Sequence, residues 1–299
     1  MRGGRAAAAM ALIGVFVAAG CGLGPGPSIG GVKLTVTEDY GSKTMLRRSE
    51  SDAPESETAM RLLDRSTEIS TRYGGGFVQS IGGVEGGRRE GRQYDWFFYV
   101  NGVESPIGSA DYNLHGGDRV WWDYRDWTAA MRVPAVVGSF PEPFAHGYEG
   151  DERRSAVRCA GAGGACRLAR ERVAAVAGEG GKGAPIRVLV GTWGRLRADS
   201  AASLVERGPA YSGVFADFVQ RRGRWMLQPL DPTGAPSGGP LDAGMVAATR
   251  RGEDPPTWLV TGPDQAATMA AARSLDAGDL RDRYAVVVEG GKAEPLPAP

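Results

Sequence analysis

The residues best suited to bind or react crowd into one stretch, WFFYVNGVESPIGSADYNLHGGDRVWWDYRDW, from Trp96 to Trp127. It holds four of the seven tryptophans, with three tyrosines and two phenylalanines. Such a density suits stacking against a ligand or enclosing one. Asp111, Asp118 and Asp123 lie in the same stretch, and a carboxylate pair among them could serve glycoside hydrolysis. Asp118 also fits a Gly-Asp turn, and Asp123 falls between aromatics on a predicted strand, so structural roles come first. The two histidines, His115 and His146, are too far apart for metal-ligand spacing. They and the scattered carboxylates assemble into no catalytic triad, so no catalytic residue, metal or cofactor is expected. Gly26-Pro27-Ser28-Ile29-Gly30 matches the G-x-S-x-G nucleophile pattern, which works only on a turn between a buried strand and a helix. Here it sits in a Gly/Pro-rich segment. Gly161 to Gly164 lies between a strand and a helix, where glycines can cradle phosphate. The match is incomplete, and Cys159 and Cys166 flank it as they would a closed turn. Gly181-Lys182 lacks the Ser/Thr of a phosphate loop.

The elements holding the aromatic stretch follow from its alternation. Tyr94 to Val100 is rich in strand formers, with Trp96, Phe98 and Val100 on one face and Phe97 and Tyr99 on the other. Asn101-Gly102 tolerates the positive φ angles of a hairpin turn. Gly116-Gly117-Asp118 is a second turn. Arg119 to Arg125 is the next strand, with Val120, Trp122 and Tyr124 opposite Trp121, Asp123 and Arg125. Trp96, Phe98, Trp122 and Tyr124 are expected in the core. Phe97, Tyr99, Trp121 and Trp127 then share the other face. Exposed, they form an apolar patch that marks an interaction site; packed against a second domain, they are hidden. Both outcomes are open. Upstream, Val32, Leu34 and Val36 alternate as a first strand over Val32–Glu38. Glu57 to about Ile69 reads as a helix stopped by Gly74-Gly75-Gly76, and Phe77 to Ile81 as a short strand.

The pattern Trp96…Tyr99-Val100-Asn101-Gly102, with Leu114, Gly117-Asp118, Val120, Trp122 and Tyr124, resembles the transcobalamin C-terminal-like family over about Val32 to Trp127. That resemblance implies a β-grasp fold, a small mixed sheet wrapped on one helix. It also points to corrinoid-type ligands or a role in uptake. The family's vitamin carriers bind with the help of a large helical barrel, and nothing in this chain reads as one. In this reading Tyr99, Trp121 and Trp127 stack on a ligand and Asn101 hydrogen-bonds it.

The N-terminus reads as a processing segment. Arg2 and Arg5 precede a short apolar run, Ala6 to Val17, too short for a typical membrane span. Val17-Ala18-Ala19-Gly20-Cys21 resembles a bacterial lipoprotein signal, cleaved before Cys21 with lipid on its sulfur, although Ala18 stands where Leu is usual. An ordinary secretory signal is the alternative. A membrane-anchored, extracytoplasmic location is therefore expected. Export leaves Cys159 and Cys166 in an oxidising compartment, where a disulfide is the natural outcome. Closing that loop stabilises by about 2.5 kcal/mol in the chain-entropy model. Lys+Arg and Asp+Glu both number 35, so no global basic field argues for nucleic acid.

The fold class expected is α+β: a signal segment 1–21, a Gly/Pro tether 22–31, a β-grasp domain 32–128, a proline-rich connection 129–150 and an α/β domain 151–299. In the last, strands are expected at 156–159, 186–191, 212–218, 224–230, 257–262 and 284–289. Helices are expected at 166–177, 198–206 and 265–275, the last capped by Asp264. Thr192, Trp193, Thr261 and Asp264 would lie at strand C-termini, either lining a pocket or acting as caps and rim. The expected role is non-catalytic binding of a small molecule, of corrinoid type, or of a cell-envelope partner such as a transporter component. The alternatives are an envelope glycan-processing enzyme and a purely structural docking module.

Overall fold

A computed structural model describes residues 27–161 and 163–299. The fold is mixed α+β, with several sheets and few helices. The signal segment and Cys21 lie outside the described residues.

The first sheet contains β1 (Val32–Glu38), β2 (Lys43–Glu50), β3 (Arg92–Val100), β4 (Val103–Glu104) and β5 (Arg119–Asp126), with Gly87–Arg89 as a sixth strand on the start of β3. Their order across the sheet is β4-β3-β5-β1-β2. The central pair, β5 with β1, is parallel; the other pairs are antiparallel. The expected alternation holds. Val32, Leu34 and Val36 are buried with Trp96, Val120, Trp122 and Tyr124 in one core. Helix α1 (Ala59–Asp64) packs Leu62 and Leu63 into the same core, and its cap Thr58 accepts the Arg61 amide at 3.2 Å. It is shorter than the expected 57–69. Ile69–Arg72 leaves it to pair with Phe77–Ile81, because the β-branched Ile69 and Thr71 suit a strand better. Gly74, at φ 72°, therefore turns a hairpin instead of stopping a helix. The end of the expected tether is also ordered, since Ser28–Ile29 pairs with Ala53–Pro54.

The second sheet contains β6 (Ser155–Ala160), β7 (Ile186–Thr192), β8 (Gly244–Thr249), β9 (Thr257–Gly262), β10 (Ala285–Glu289) and β11 (Lys292–Leu296), in the order β6-β7-β9-β8-β10-β11. β6, β7 and β9 run parallel, as the apolar run of β7 predicts. β8, β10 and β11 add antiparallel ladders. Helices α2 (Gly163–Ala174) and α3 (Gln265–Arg273) pack on one face through Ala169, Val173, Ala271 and Ala272. Asp264 caps α3 by accepting the Ala267 amide at 2.9 Å. The other face is covered by the Ala216–Arg221/Arg224–Pro229 hairpin and short helical turns. The helix expected over 198–206 is broken. Asp199 accepts the Ala201 amide and pairs with Arg187, and the chain re-forms as a 3₁₀ segment, Ala202–Arg207. Pro209 starts another turn, so the next strand begins at Ala216 rather than 212. Cys159 and Cys166 form a disulfide joining β6 to α2. Among the described residues, no helix is long and apolar enough to cross a membrane.

The connection 129–150 is not a free linker. Val137, Phe140, Phe144 and Tyr148 enter the core under α2 and α3. Ala130, Val133 and Val136 join Tyr40, Tyr99, Trp121, Phe215 and Tyr284 in a core shared by both sheets.

Candidate functional site

The site is built on the face of the first sheet that Val32, Leu34 and Val36 do not use. Period-two alternation puts Lys33, Thr35 and Thr37 there. The parallel register sets Arg119 beside Lys33, Trp121 beside Thr35 and Asp123 beside Thr37. The antiparallel register sets Ser49 and Arg47 on the far side of Lys33 and Thr35. Three rows therefore cross the sheet, and the second half of the chain covers them unequally.

The Asp123 row is sealed. Asp123 is fully buried, and its carboxylate accepts from Thr37 Oγ1 at 2.5 Å, the Gly41 amide at 3.1 Å and the Tyr284 hydroxyl at 3.0 Å. Burial pushes its pKa up to about 6, although those hydrogen bonds and the Arg125 charge pull it down. Tyr99 donates its hydroxyl to Tyr284 at 3.2 Å. Arg125, also fully buried, lies 3.7 Å over the Phe97 ring and donates to the carbonyls of Ala130 at 2.7 Å and Met131 at 3.0 Å. These bonds tie the connection and the Tyr284 strand to the first sheet.

The Arg119 row is open. It forms one wall of a crevice of about 320 Å³ between β1, β2 and β5 on one side and residues 138–140 and 277–282 on the other. Trp121 marks the boundary of the two regions. Its indole donates to Thr37 Oγ1 at 2.7 Å, its ring meets Tyr99 and Tyr284, and one edge lines the crevice. A Cβ on Gly138 would stand 2.7 Å from the Trp121 ring and 2.6 Å from the Arg283 backbone, so only glycine permits this approach. Four cationic residues on the crevice-facing side line it (Lys33, Arg47, Arg119 and Arg281) against one carboxylate, Asp282. Arg47 pairs with Asp282 across the crevice. The Arg119 guanidinium is anchored by donation to the Phe140 carbonyl at 3.2 Å.

Of the four expected ligand contacts, Tyr99 and Trp121 meet with ring centroids 5.7 Å apart, but inside the shared core. Tyr99 has no exposed surface. Asn101 is a buried turn residue at φ 54°. Its amide nitrogen donates to Asp118 at 2.8 Å and to the Gly147 carbonyl at 3.0 Å, and its oxygen accepts the Arg119 amide at 2.9 Å. Trp127 is half-buried beyond the end of β5, away from the other three. The expected ligand-facing patch is thus packed between the two halves, and only the Trp121 edge reaches a cavity. Of the three carboxylates weighed for hydrolysis, Asp111 is exposed in the turn that its amide closes on the Gly108 carbonyl. Asp118 accepts from Asn101 and from the His115 amide, and Asp123 is sealed. Five residues of strand separate the two by about 16 Å. Thr261 and Trp193 are buried in the second sheet's layers, where Trp193 stacks on Phe218 at 4.3 Å. Sequence reading missed Lys33, Arg47, Arg119, Arg281 and Tyr284. The first and third were within reach, since they share alternation parity with the Trp121 face.

Among the described residues, no three His, Cys, Asp or Glu side chains gather into a metal-holding group. A comparison with curated proteins finds no match. Among solved structures, a Ruminococcus gnavus protein described as a "putative metal binding protein" aligns with 32% of this chain and 97% of its own, at 10% identity and a TM-score of 0.26. Residues 56–126, which hold α1 and the whole aromatic stretch up to Asp126, match the model of a domain of unknown function, DUF4430.

Proposed function

We propose that this chain is a lipid-anchored extracytoplasmic protein with a non-catalytic binding role, and that its ligand enters the crevice beside Trp121. The crevice carries the reading. It lies where the two halves meet, a preferred location for small-molecule sites, and its volume of about 320 Å³ is at the lower end of their range. A corrinoid is far larger, so the ligand is a smaller molecule. The sheet order β4-β3-β5-β1-β2, with its parallel central pair and a single helix on one face, supports a β-grasp of the transcobalamin C-terminal-like kind. Lipid on Cys21 would hold the protein at the membrane surface, near envelope partners such as a transporter.

The test uses the full chain purified in mild detergent. A panel of small molecules is screened by thermal shift beside Ser49→Trp, which fills the crevice from an exposed rim position. Ligands that stabilise the parent and not the variant are expected. Hits that persist unchanged in Ser49→Trp would move the site elsewhere. For the anchor, Cys21→Ser is expected to release the protein from the membrane fraction.

A further inference from the structure

We propose that the crevice recognises a phosphate group. This rests on the crevice being the ligand site and adds the chemistry it selects.

The chain as a whole has no net charge, yet four of the five charged residues facing this cavity are cations. An ordinary solvated surface intersperses the two signs. The concentration is therefore local and not a by-product of composition. Its arrangement is also unfavourable without a counter-charge. Lys33 and Arg119 are direct neighbours on adjacent strands, and like charges directly opposite destabilise a sheet. Arg281 approaches from the opposite wall. Among the described residues, Lys33, Arg119 and Arg281 make no ion pair; the sole lining carboxylate, Asp282, is taken by Arg47. An anion between the walls would relieve this repulsion and meet donors from both sides.

The donors fit a phosphate. Arg119 is held in place by Phe140, leaving further N–H groups of its planar fork to engage oxyanion oxygens. Thr35 and Ser49 flank Lys33 and Arg47 with hydroxyls on the same face. A phosphate monoester carries about −1.5 to −2 charges at neutral pH, so it neutralises this set better than a single carboxylate does. The small volume favours a compact phosphorylated molecule. A phospholipid headgroup offers the same chemistry to a membrane-anchored protein, so the experiment separates the two sources.

The full chain in mild detergent is titrated calorimetrically with pyrophosphate, with succinate and a neutral sugar as comparisons; its Cys21→Ser form, free of lipid and detergent, is co-sedimented with phosphatidylglycerol vesicles and with phosphatidylcholine vesicles as reference. Lys33→Gln and Arg281→Gln are tested alongside, one from each wall, with thermal midpoints confirming that both fold. Saturable pyrophosphate binding is expected, at least tenfold tighter than succinate. Each variant should weaken it at least tenfold, and rising salt should weaken it too. Vesicle binding lost in both variants, without pyrophosphate saturation, would support phosphate recognition and assign it to a headgroup. Phosphate binding that both variants leave intact would overturn the proposal. So would a neutral ligand that binds the parent and is blocked by Ser49→Trp, although the crevice would then stand as the ligand site. No ligand of any class sensitive to Ser49→Trp would remove both readings.

Discussion

One face of one sheet has two ends built on opposite terms. At the Asp123 end, charged and polar groups are buried and meet partners: carboxylate to hydroxyls and an amide, guanidinium to carbonyls and a ring. At the Arg119 end, three strands and a later loop bring cations together with one carboxylate among them. At the sealed end almost every buried polar atom is partnered, Arg125 Nε being the exception, as expected where an unpartnered group is costly. The open end carries charge that folding does not require. That contrast separates residues that hold the halves together from residues free to recognise something.

Substitutions at the sealed end should break the fold, and those at the open end should spare it. The largest effect is expected from Asp123→Ala, which strands three buried donors and should destabilise by about 3 kcal/mol in urea unfolding at neutral pH. A loss under about 1 kcal/mol would mean that water enters and the end is not sealed. Next is the pH response of Asp123 itself. Its folded pKa, about 6, lies above the unfolded value near 3.9. Between those values the folded state holds the extra proton, so stability falls as pH rises. The contribution is fully present below about pH 4 and lost as pH passes 6, to a total of about 3 kcal/mol. Unfolding midpoints measured from pH 4 to 7 should show that slope, and Asp123→Asn should flatten it. Tyr284→Phe removes one hydrogen bond to Asp123 and one from Tyr99, and should cost about 1–2 kcal/mol. The smallest effect on stability is expected at the open end. Lys33→Gln should shift it by less than about 0.5 kcal/mol, toward greater stability, since it relieves like-charge contact with Arg119. A Lys33→Gln loss comparable to that of Asp123→Ala would erase the distinction.

Much of the first sheet was legible because its strands alternate cleanly. Val32, Leu34 and Val36 predict the core face, and Asn101-Gly102, with φ of 54° and 76°, forms the expected turn. What failed depended on partners far along the chain. Ile69–Arg72 looks helical until Phe77–Ile81 is there to pair with it. β8, with two alanines and a glycine in six residues, has little strand propensity of its own and is a strand because β9 and β10 flank it. The aromatic face was identified as one face but not as a buried one, since its cover comes from Phe215, Tyr284 and the connection. The crevice needed the same long-range fact. Lys33 and Arg119 could be placed on a face by parity, whereas Arg281 joins them only through the tertiary fold.

The covered aromatic face bears on how this architecture could be cut, shuffled or inherited. The DUF4430 segment ends at residue 126, just before the chain that hides Tyr99 and Trp121. A fragment limited to residues 56–126 would lack both β1, the parallel partner of β5, and the lid over its aromatic side. It would present a broad sticky surface and tend to aggregate. The folding unit in this chain is therefore larger than the segment that the family model matches: residues 56–126 need β1 and their cover to bury the aromatic face.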